Sequence, residues 1–450
     1  MNGIEQSGPA AIPALQAQVE QILAEAKRQG ASACEVAVSR EDGLTASVRQ
    51  REVESVEFIR DQGFSITVYC GQRKGSASTT VMGDAAVREA VAAAIAIAKH
   101  TSEDECAGLA DAELMAKELP DLDVWHPWDL SPEQAVALAL ECEEAAFAAD
   151  SRISNADGTS VDTSRGCTVY GNSHGFLGGY AGTAHSISCV MIAGKGEQMQ
   201  RDYWYDHGRR ADALASAQSI GQRAALRTVS RLGARPVPTC SVPVMFAPEV
   251  AGGLFGHLLG AISGGNLYRQ ASFLVDALGE QLFPDWFTLD ERPLLKGGLS
   301  SSAFDGDGLA TRAQSFIRDG QLVSYLLSTY SGRKLGLPST ANAGGARNLF
   351  VSHGEQSQAE LLKQMGTGLL VTELMGQGLN MVTGDYSRGA GGYWVENGQI
   401  QFPVQEVTIA GNLRDMYRNL VAIGSDLETR GNIRTGSVLL EQMTVAGSGA

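Results

Sequence analysis

The stretch Pro248–Arg269, PEVAGGLFGHLLGAISGGNLYR, constrains this chain more than any other. Leu254, Phe255, Leu258, Leu259 and Ile262 recur at helical spacing and form one broad apolar stripe. Gly252, Gly253, Gly256 and Gly260 leave much of the remaining surface bare, so other backbone can approach closely. A helix of this kind belongs inside a core. Only His257 on it carries a side chain suited to chemistry. A lone histidine on an apolar helix is usually a hydrogen-bonded packing residue.

The chain can supply such a core. Its 450 residues are 44% hydrophobic and 19% charged, enough for two or three domains. Gly is abundant (53) and Pro is scarce (13), which points to strands and tight turns rather than disorder. Lys+Arg number 35 against Asp+Glu 51, a net charge of −16, and no basic block interrupts the acidic field. A nucleic-acid backbone is repelled by that field, so direct nucleic-acid binding is not expected. The first residues, MNGIEQSGPAAIPAL, lack a cationic and an apolar signal region. No run reaches the roughly eighteen apolar residues of a membrane span. The expected location is the cytoplasm, with no membrane contact. Seven cysteines without a C-x-x-C pair are expected to be reduced and mostly buried.

Along the chain, residues 1–12 are expected as a loose tail and residues 13–29 as an amphipathic helix stopped by Gly30. Short strands are expected at 34–39, 43–49, 53–60 and 64–69, forming an antiparallel meander closed by a helix over 84–99. An acidic connection spans 101–129. Ser131, Pro132 and Gln134 mark a capping box that opens a helix to about Ala149. Several strands over 161–193 and a helix over 211–232 repeat the order helix, strands, helix. The Arg235-Pro-Val-Pro run marks a boundary. Beyond it come a strand at 242–246, the glycine-studded helix, and hairpins turning at Asp319-Gly320 and Asn397-Gly398. Helices are expected at 356–365 and 412–423. The fold class is therefore α+β. It has an N-terminal helix and antiparallel-sheet part in two similarly ordered halves, and a β-rich C-terminal domain. The expected division is 1–128, 129–234 and 235–450.

Standard catalytic motifs are missing. There is no phosphate loop, no G-x-S-x-G and no H-E-x-x-H. The other histidines are scattered. His174 and His185 become neighbours only if a hairpin joins them. Ser300–Ser302 lacks a signalled base and reads as a polar loop. Asp305-Gly306-Asp307-Gly308 lacks the later ligands of a calcium loop and reads as a turn.

Longer segments do carry a resemblance. PVMFAPEVAGGLFGHLLGAISGGNLYRQASFL, FDGDGLATRAQSFIRDGQLVSYLLSTYSGRKLG and GDYSRGAGGYWVENGQIQFPVQEVTIAGNLRDMYRNLVAIGSDLE occur in that order. SACEVAVSR, GFSITVYCGQRKGSASTT and VYGNSHGF precede them. Over essentially its whole length the chain resembles the TldD/PmbA family, on its PmbA (TldE) side. The resemblance implies one half of a heterodimeric metalloprotease. In that family the TldD-type subunit holds zinc through two histidines of a helix and a C-terminal cysteine, with a glutamate as general base. With the frame anchored on Gly265–Arg269, Gly256, His257 and Ala261 stand where His, Glu and His would be. A frame one residue on puts His257, Leu258 and Ile262 there, and neither leaves more than one ligand. Cys240 is the last cysteine, and a turn at Arg430–Arg434 replaces the missing one. The resemblance thus implies no catalytic, cofactor or metal residue in this chain, with zinc in a TldD-type partner. Its substrates would be small or unfolded polypeptides, the family roles being microcin-precursor maturation and antitoxin degradation. Two alternatives stay open. One is an independent non-zinc hydrolase using His257 with Ser300–Ser302 and Asp305. The other is a β-rich peptide-binding adaptor.

Overall fold

The computed structural model describes residues 7–447. The tail expected over 1–12 lies partly outside the described residues. Its remainder is a 3-10 turn, Pro9–Ala11, running into helix α1, Ile12–Arg28. Leu15, Val19, Ile22 and Ala26 form the buried face of α1, as their spacing requires. Strands β1 (Ala33–Arg49), β2 (Glu52–Cys70) and β3 (Arg73–Thr79) follow, then helix α2 (Asp84–His100). After the connecting segment come α3 (Pro132–Ala149), β4 (Ile153–Asn172), β5 (Leu177–Ala193), β6 (Gln200–Gly208) and α4 (Ala217–Ser230).

The four short strands expected between 34 and 69 are two long ones, of 17 and 19 residues. The charged run Arg40-Glu41-Asp42 does not turn. It stays extended opposite Arg60-Asp61-Gln62 on one side and Arg165-Gly166-Cys167 on the other. The several strands expected over 161–193 are likewise two long ones. The helix expected over 211–232 starts later, because Ser216 caps it by accepting from the Ser219 backbone N–H. The capping box at Ser131 forms as its sequence signals.

These strands make one antiparallel six-stranded sheet, ordered β3-β2-β1-β4-β5-β6. The β1–β4 ladder carries it across residues 128 and 129 without a break. Cys34, Val36 and Val38 share a face of β1 with Leu44, Ala46 and Val48, because strand side chains alternate. The first three pack under α1 and α2, the second three under α3 and α4. Two helix pairs thus cover the two ends of one sheet face. Helices α3 and α4 meet at backbone distance. A Cβ added at Gly221 would lie 1.9 Å from the Cys142 carbonyl oxygen.

The C-terminal part begins with β7 (Cys240–Phe246), α5 (Pro248–Ala261) and α6 (Gly264–Tyr268). Strands β8 (Leu289–Glu291), β9 (Gln314–Arg318) and β10 (Gln321–Leu322), helix α7 (Thr329–Leu335) and strand β11 (Leu349–Val351) come next. Helix α8 (Gln358–Met365) leads into β12 (Gly368–Met375), β13 (Asp385–Glu396) and β14 (Gln399–Asn412). Then come α9 (Leu413–Arg418), β15 (Leu420–Ile423), β16 (Ile433–Arg434) and β17 (Val438–Ala446). The helix expected over 412–423 is only α9. Asn412 caps it, but Leu420–Ile423 leaves the helix to pair with β17. A tertiary strand partner overrides the local pattern there.

Strands β14, β13, β12, β7 and β17 close into a ring through the β14–β17 pairing. The remaining five-stranded sheet runs β10-β9-β8-β11-β16. The expected α+β class, with a β-rich C-terminal part, describes the molecule. All seven cysteines are free thiols, five of them buried. Among the described residues no helix is long and apolar enough to cross a membrane.

The uncovered face of the first sheet docks on the C-terminal part through aromatic packing. Phe304 lies edge-on to Phe176 at 5.2 Å and tilted to Tyr170 at 6.4 Å. Next to Phe304, Asp305 is 2% exposed and accepts backbone N–H bonds from Asp307, Leu309 and Ala343. Its carboxyl organises the turn read from sequence. Burial, with Asp307 beside it, raises that carboxyl from 3.8 to about 6.

Two outcomes follow from this packing. Gly221→Ala is expected to cost about 1–3 kcal/mol in urea denaturation, because backbone cannot yield as a side chain can. A neutral result there would mean that α3 and α4 separate freely. Asp305 holds a proton in the folded state that it loses near pH ~4 when unfolded. Its contribution is fully present below that pH and is lost as pH rises through about 6. The stability difference between wild type and Asp305→Asn should therefore move against wild type from pH 4 to 7, by on the order of 2–3 kcal/mol. A difference flat with pH would place the carboxyl in solvent.

Candidate functional site

Helix α5 sits against the ring with Ala251, Leu254, Phe255, Leu258 and Ala261 buried. Pro248 opens it at a position where the missing N–H costs nothing. Phe255 stacks on Phe287 at 5.7 Å, Phe287 on Phe283 at 4.0 Å, and Phe283 on Tyr417 at 4.6 Å. The Tyr417 hydroxyl then donates to the Leu254 carbonyl at 2.9 Å. The stack begins and ends on α5.

The opposite face of α5 is open. A Cβ added at Gly253 or Gly256 would meet nothing within 4 Å, and both glycines are exposed. His257 is half-buried beside them, and Ala261 is buried. The His257 ring stands edge-on to Tyr386 at 5.9 Å. Burial and then the Arg388 charge push its pKa down, so the imidazole is neutral at pH 7. Its Nε2 has no hydrogen-bond partner, nor do the Tyr386 hydroxyl and Arg388 Nε.

The segment Arg430–Arg434, expected as a turn, runs into strand β16 at Ile433 and lies against the same helix. A Cβ added at Gly252 would approach Ile433 Cβ at 3.9 Å. The structure thus brings together the helix and the segment that the sequence singled out, with Gly252 and the Ile433 it meets 181 positions apart. The donors there do not suit zinc. One imidazole is present, and its neighbours are a phenol and a guanidinium. Among the described residues no three His, Cys, Asp or Glu side chains come together to hold a metal ion.

Other sequence candidates are separated. His174 lies in the β4–β5 turn, with Nδ1 2.9 Å from the Ala110 carbonyl. His185 stands far along β5, bonded to the Thr163 hydroxyl at 2.8 Å and the His126 carbonyl at 2.8 Å. The Ser301 hydroxyl donates to the Leu295 carbonyl, and Ser302 donates to Phe304 at 2.6 Å. None of these bonds includes His257.

The N-terminus of α5 opens into a cleft of about 1120 Å³ between the two parts of the chain. Pro248 and Glu249 of α5, Trp204 of β6 and Arg430 of that segment line it. Three guanidinium groups gather over the Trp204 ring, with Arg223 at 3.6 Å, Arg430 at 4.0 Å and Arg227 at 5.0 Å. Arg430 also chelates Glu428 and donates to the Tyr205 carbonyl at 2.7 Å. Nothing in the sequence links Trp204 with Arg223 or Arg430. Cation–π partners have no fixed spacing in sequence.

Comparison with known proteins places these features. Residues 34–98, 125–232 and 239–447 match the models for PmbA/TldA metallopeptidase domain 1, central domain and C-terminal domain. The Escherichia coli O157:H7 protein named Metalloprotease PmbA is 52% identical over 94% of each chain. The Metalloprotease PmbA homolog of Haemophilus influenzae is 49% identical, again over 94% of each. A solved structure from Bacteroides thetaiotaomicron, 27% identical, superposes with TM-score 0.91 over 96% of this chain and 98% of that one. TldE from Thermococcus kodakarensis shares the fold at 22% identity, with TM-score 0.83 over 95% of this chain and 99% of that one.

Arg430→Ala strands the Glu428 carboxylate, which is 15% exposed, and should cost about 3 kcal/mol in urea denaturation. Replacing both partners, Glu428→Gln with Arg430→Met, should recover most of that loss. A loss below ~0.5 kcal/mol for the single change would show a solvent-screened pair instead.

Proposed function

The chain belongs to the PmbA/TldD metallopeptidase family, and from that premise we propose that it is the zinc-free subunit of a two-chain metalloprotease. In this reading a TldD-type chain supplies zinc and the general base. The present chain completes the chamber and holds extended or unfolded polypeptide.

One observation carries the reading. Helix α5 presents an outer face open at Gly253 and Gly256 with the Arg430–Arg434 segment against it, and the positions that the resemblance gives to zinc ligands carry no ligand set. Gly256 and Ala261 bring no donor, and His257 alone cannot hold zinc at useful affinity. With Arg388 as its neighbour it faces a positive charge, which disfavours a bound cation, and among the described residues no carboxylate is there to orient its ring as in a zinc site. The catalytic role is therefore assigned to the partner, and Gly256, His257 and Ala261 to a pseudo-active site. The cytoplasm is the proposed compartment, consistent with seven free thiols. The domain division 1–128, 129–234 and 235–450 is kept as a proposal about units of the chain, with the second boundary falling between α4 and β7.

Metal analysis with a peptidase assay tests the proposal. The purified chain should carry no stoichiometric zinc and leave an unfolded casein substrate intact. Adding a TldD-type chain should produce cleavage faster than that chain achieves alone. Stoichiometric zinc together with peptidase activity in the isolated chain would overturn it.

A further inference from the structure

The cleft beside α5 has one charge that nothing answers. Four carboxylates line it, and each is occupied. Glu249 takes Arg227 at 2.9 Å, and Glu428 takes Arg430. Asp206 accepts from the backbone of His207 at 2.9 Å and of Ala215 at 2.7 Å. Asp426 accepts from the backbone of Ser437 at 3.1 Å and from its hydroxyl at 2.7 Å. Arg223 has no carboxylate and no hydrogen-bond acceptor among the described residues. It is exposed, yet it is held 3.6 Å from the Trp204 centroid.

Stacking of this kind fixes a guanidinium by its face and leaves its N–H groups free in the plane. That is the geometry that receives a carboxylate bidentately. Two helix N-termini, at Pro248 of α5 and Gln358 of α8, open into the same cleft and add partial positive charge. The other wall is apolar. Ile400 and Leu427 line it, 47% and 38% exposed, over the buried Leu370. Tyr393 on that wall is tied to Ser230, the last residue of α4, by a 2.5 Å hydroxyl–hydroxyl bond, so both walls are braced. An exposed apolar strip beside one free, preorganised cation is a recognition surface for a chain that carries an acid.

We propose that this cleft binds an extended peptide by a carboxylate, received by Arg223 on its Trp204 platform, with apolar side chains against Ile400 and Leu427. The carboxylate is either an acidic side chain or a free C-terminus. The inference rests on the reading of the chain as a peptide-holding subunit and adds to it a place and a chemistry.

Fluorescence anisotropy with the purified full chain, and no metalloprotease present, tests it. The probe is a labelled octapeptide of Ala, Val and Ser with one central Glu and a free C-terminus. Its companions carry Gln for Glu, a C-terminal amide, or both changes. Binding should fall about ten- to a hundredfold when the recognised carboxylate is removed, and the two single changes tell which carboxylate that is. Arg223→Gln should give the same loss with the unchanged peptide, and Arg223→Lys a smaller one. Arg201→Gln, at an exposed arginine paired with Asp157 elsewhere on β6, should change nothing. Equal binding of the acidic and doubly neutral peptides, or unchanged affinity in Arg223→Gln, overturns the carboxylate site but leaves peptide holding intact. Absence of binding for all four peptides overturns both.

Discussion

The aromatic stack that begins and ends on α5 is the contact on which the C-terminal part depends. Phe255, the Phe283–Phe287 pair and Tyr417 come from three separate places in the chain, and each ring stacks on the next. Face-offset stacks contribute beyond their buried area. This one also satisfies a buried phenol, because the Tyr417 hydroxyl reaches the Leu254 carbonyl. With that side of α5 fixed, its glycine side has to face outward. The open surface at Gly253 and Gly256 is therefore a consequence of the core and not a gap in it.

The joint between the two parts is built differently. Aromatic packing of Phe304 on Tyr170 and Phe176 seals one end, while charge organises the other. Arg227 and Arg231 both reach Asp202, which is 6% exposed, and Arg231 also meets Glu373 across the joint. Buried pairs of this type recover little net stability after desolvation, but they tolerate few alternative arrangements. They set how β6 and α4 stand relative to the ring. The cleft exists because this end is spaced by arginine side chains instead of being closed by apolar ones.

How far the sequence revealed these features depended on the range of the interactions. Capping at Ser131 was legible because its partner Gln134 is three residues away. The hairpin turns at Asp319-Gly320 and Asn397-Gly398 were legible because Asp319 and Asn397 adopt positive φ, a preference carried by the residues themselves. The continuous course of β1 through Arg40-Glu41-Asp42 was not. Charged residues mark a loop unless strands on both sides keep them extended, and those strands lie 20 and 125 positions away. The same holds for Leu420–Ile423, whose strand conformation comes from β17.

By itself the sequence determined the helix face of α5, the α+β class and the family, and it determined that Gly256 and Ala261 bring no donor side chain. These follow from residue type and short spacing, which need no neighbour to be read. Only the tertiary structure decided that the Arg430–Arg434 segment lies against α5, that His257 faces Tyr386 and Arg388, and that Arg223 is left without a partner on Trp204. Whether a charge is answered depends on every group around it in space, and no segment of sequence contains that set. The helix that constrains the fold from its first reading is thus also the edge of a cleft whose chemistry appears only when the chain is folded.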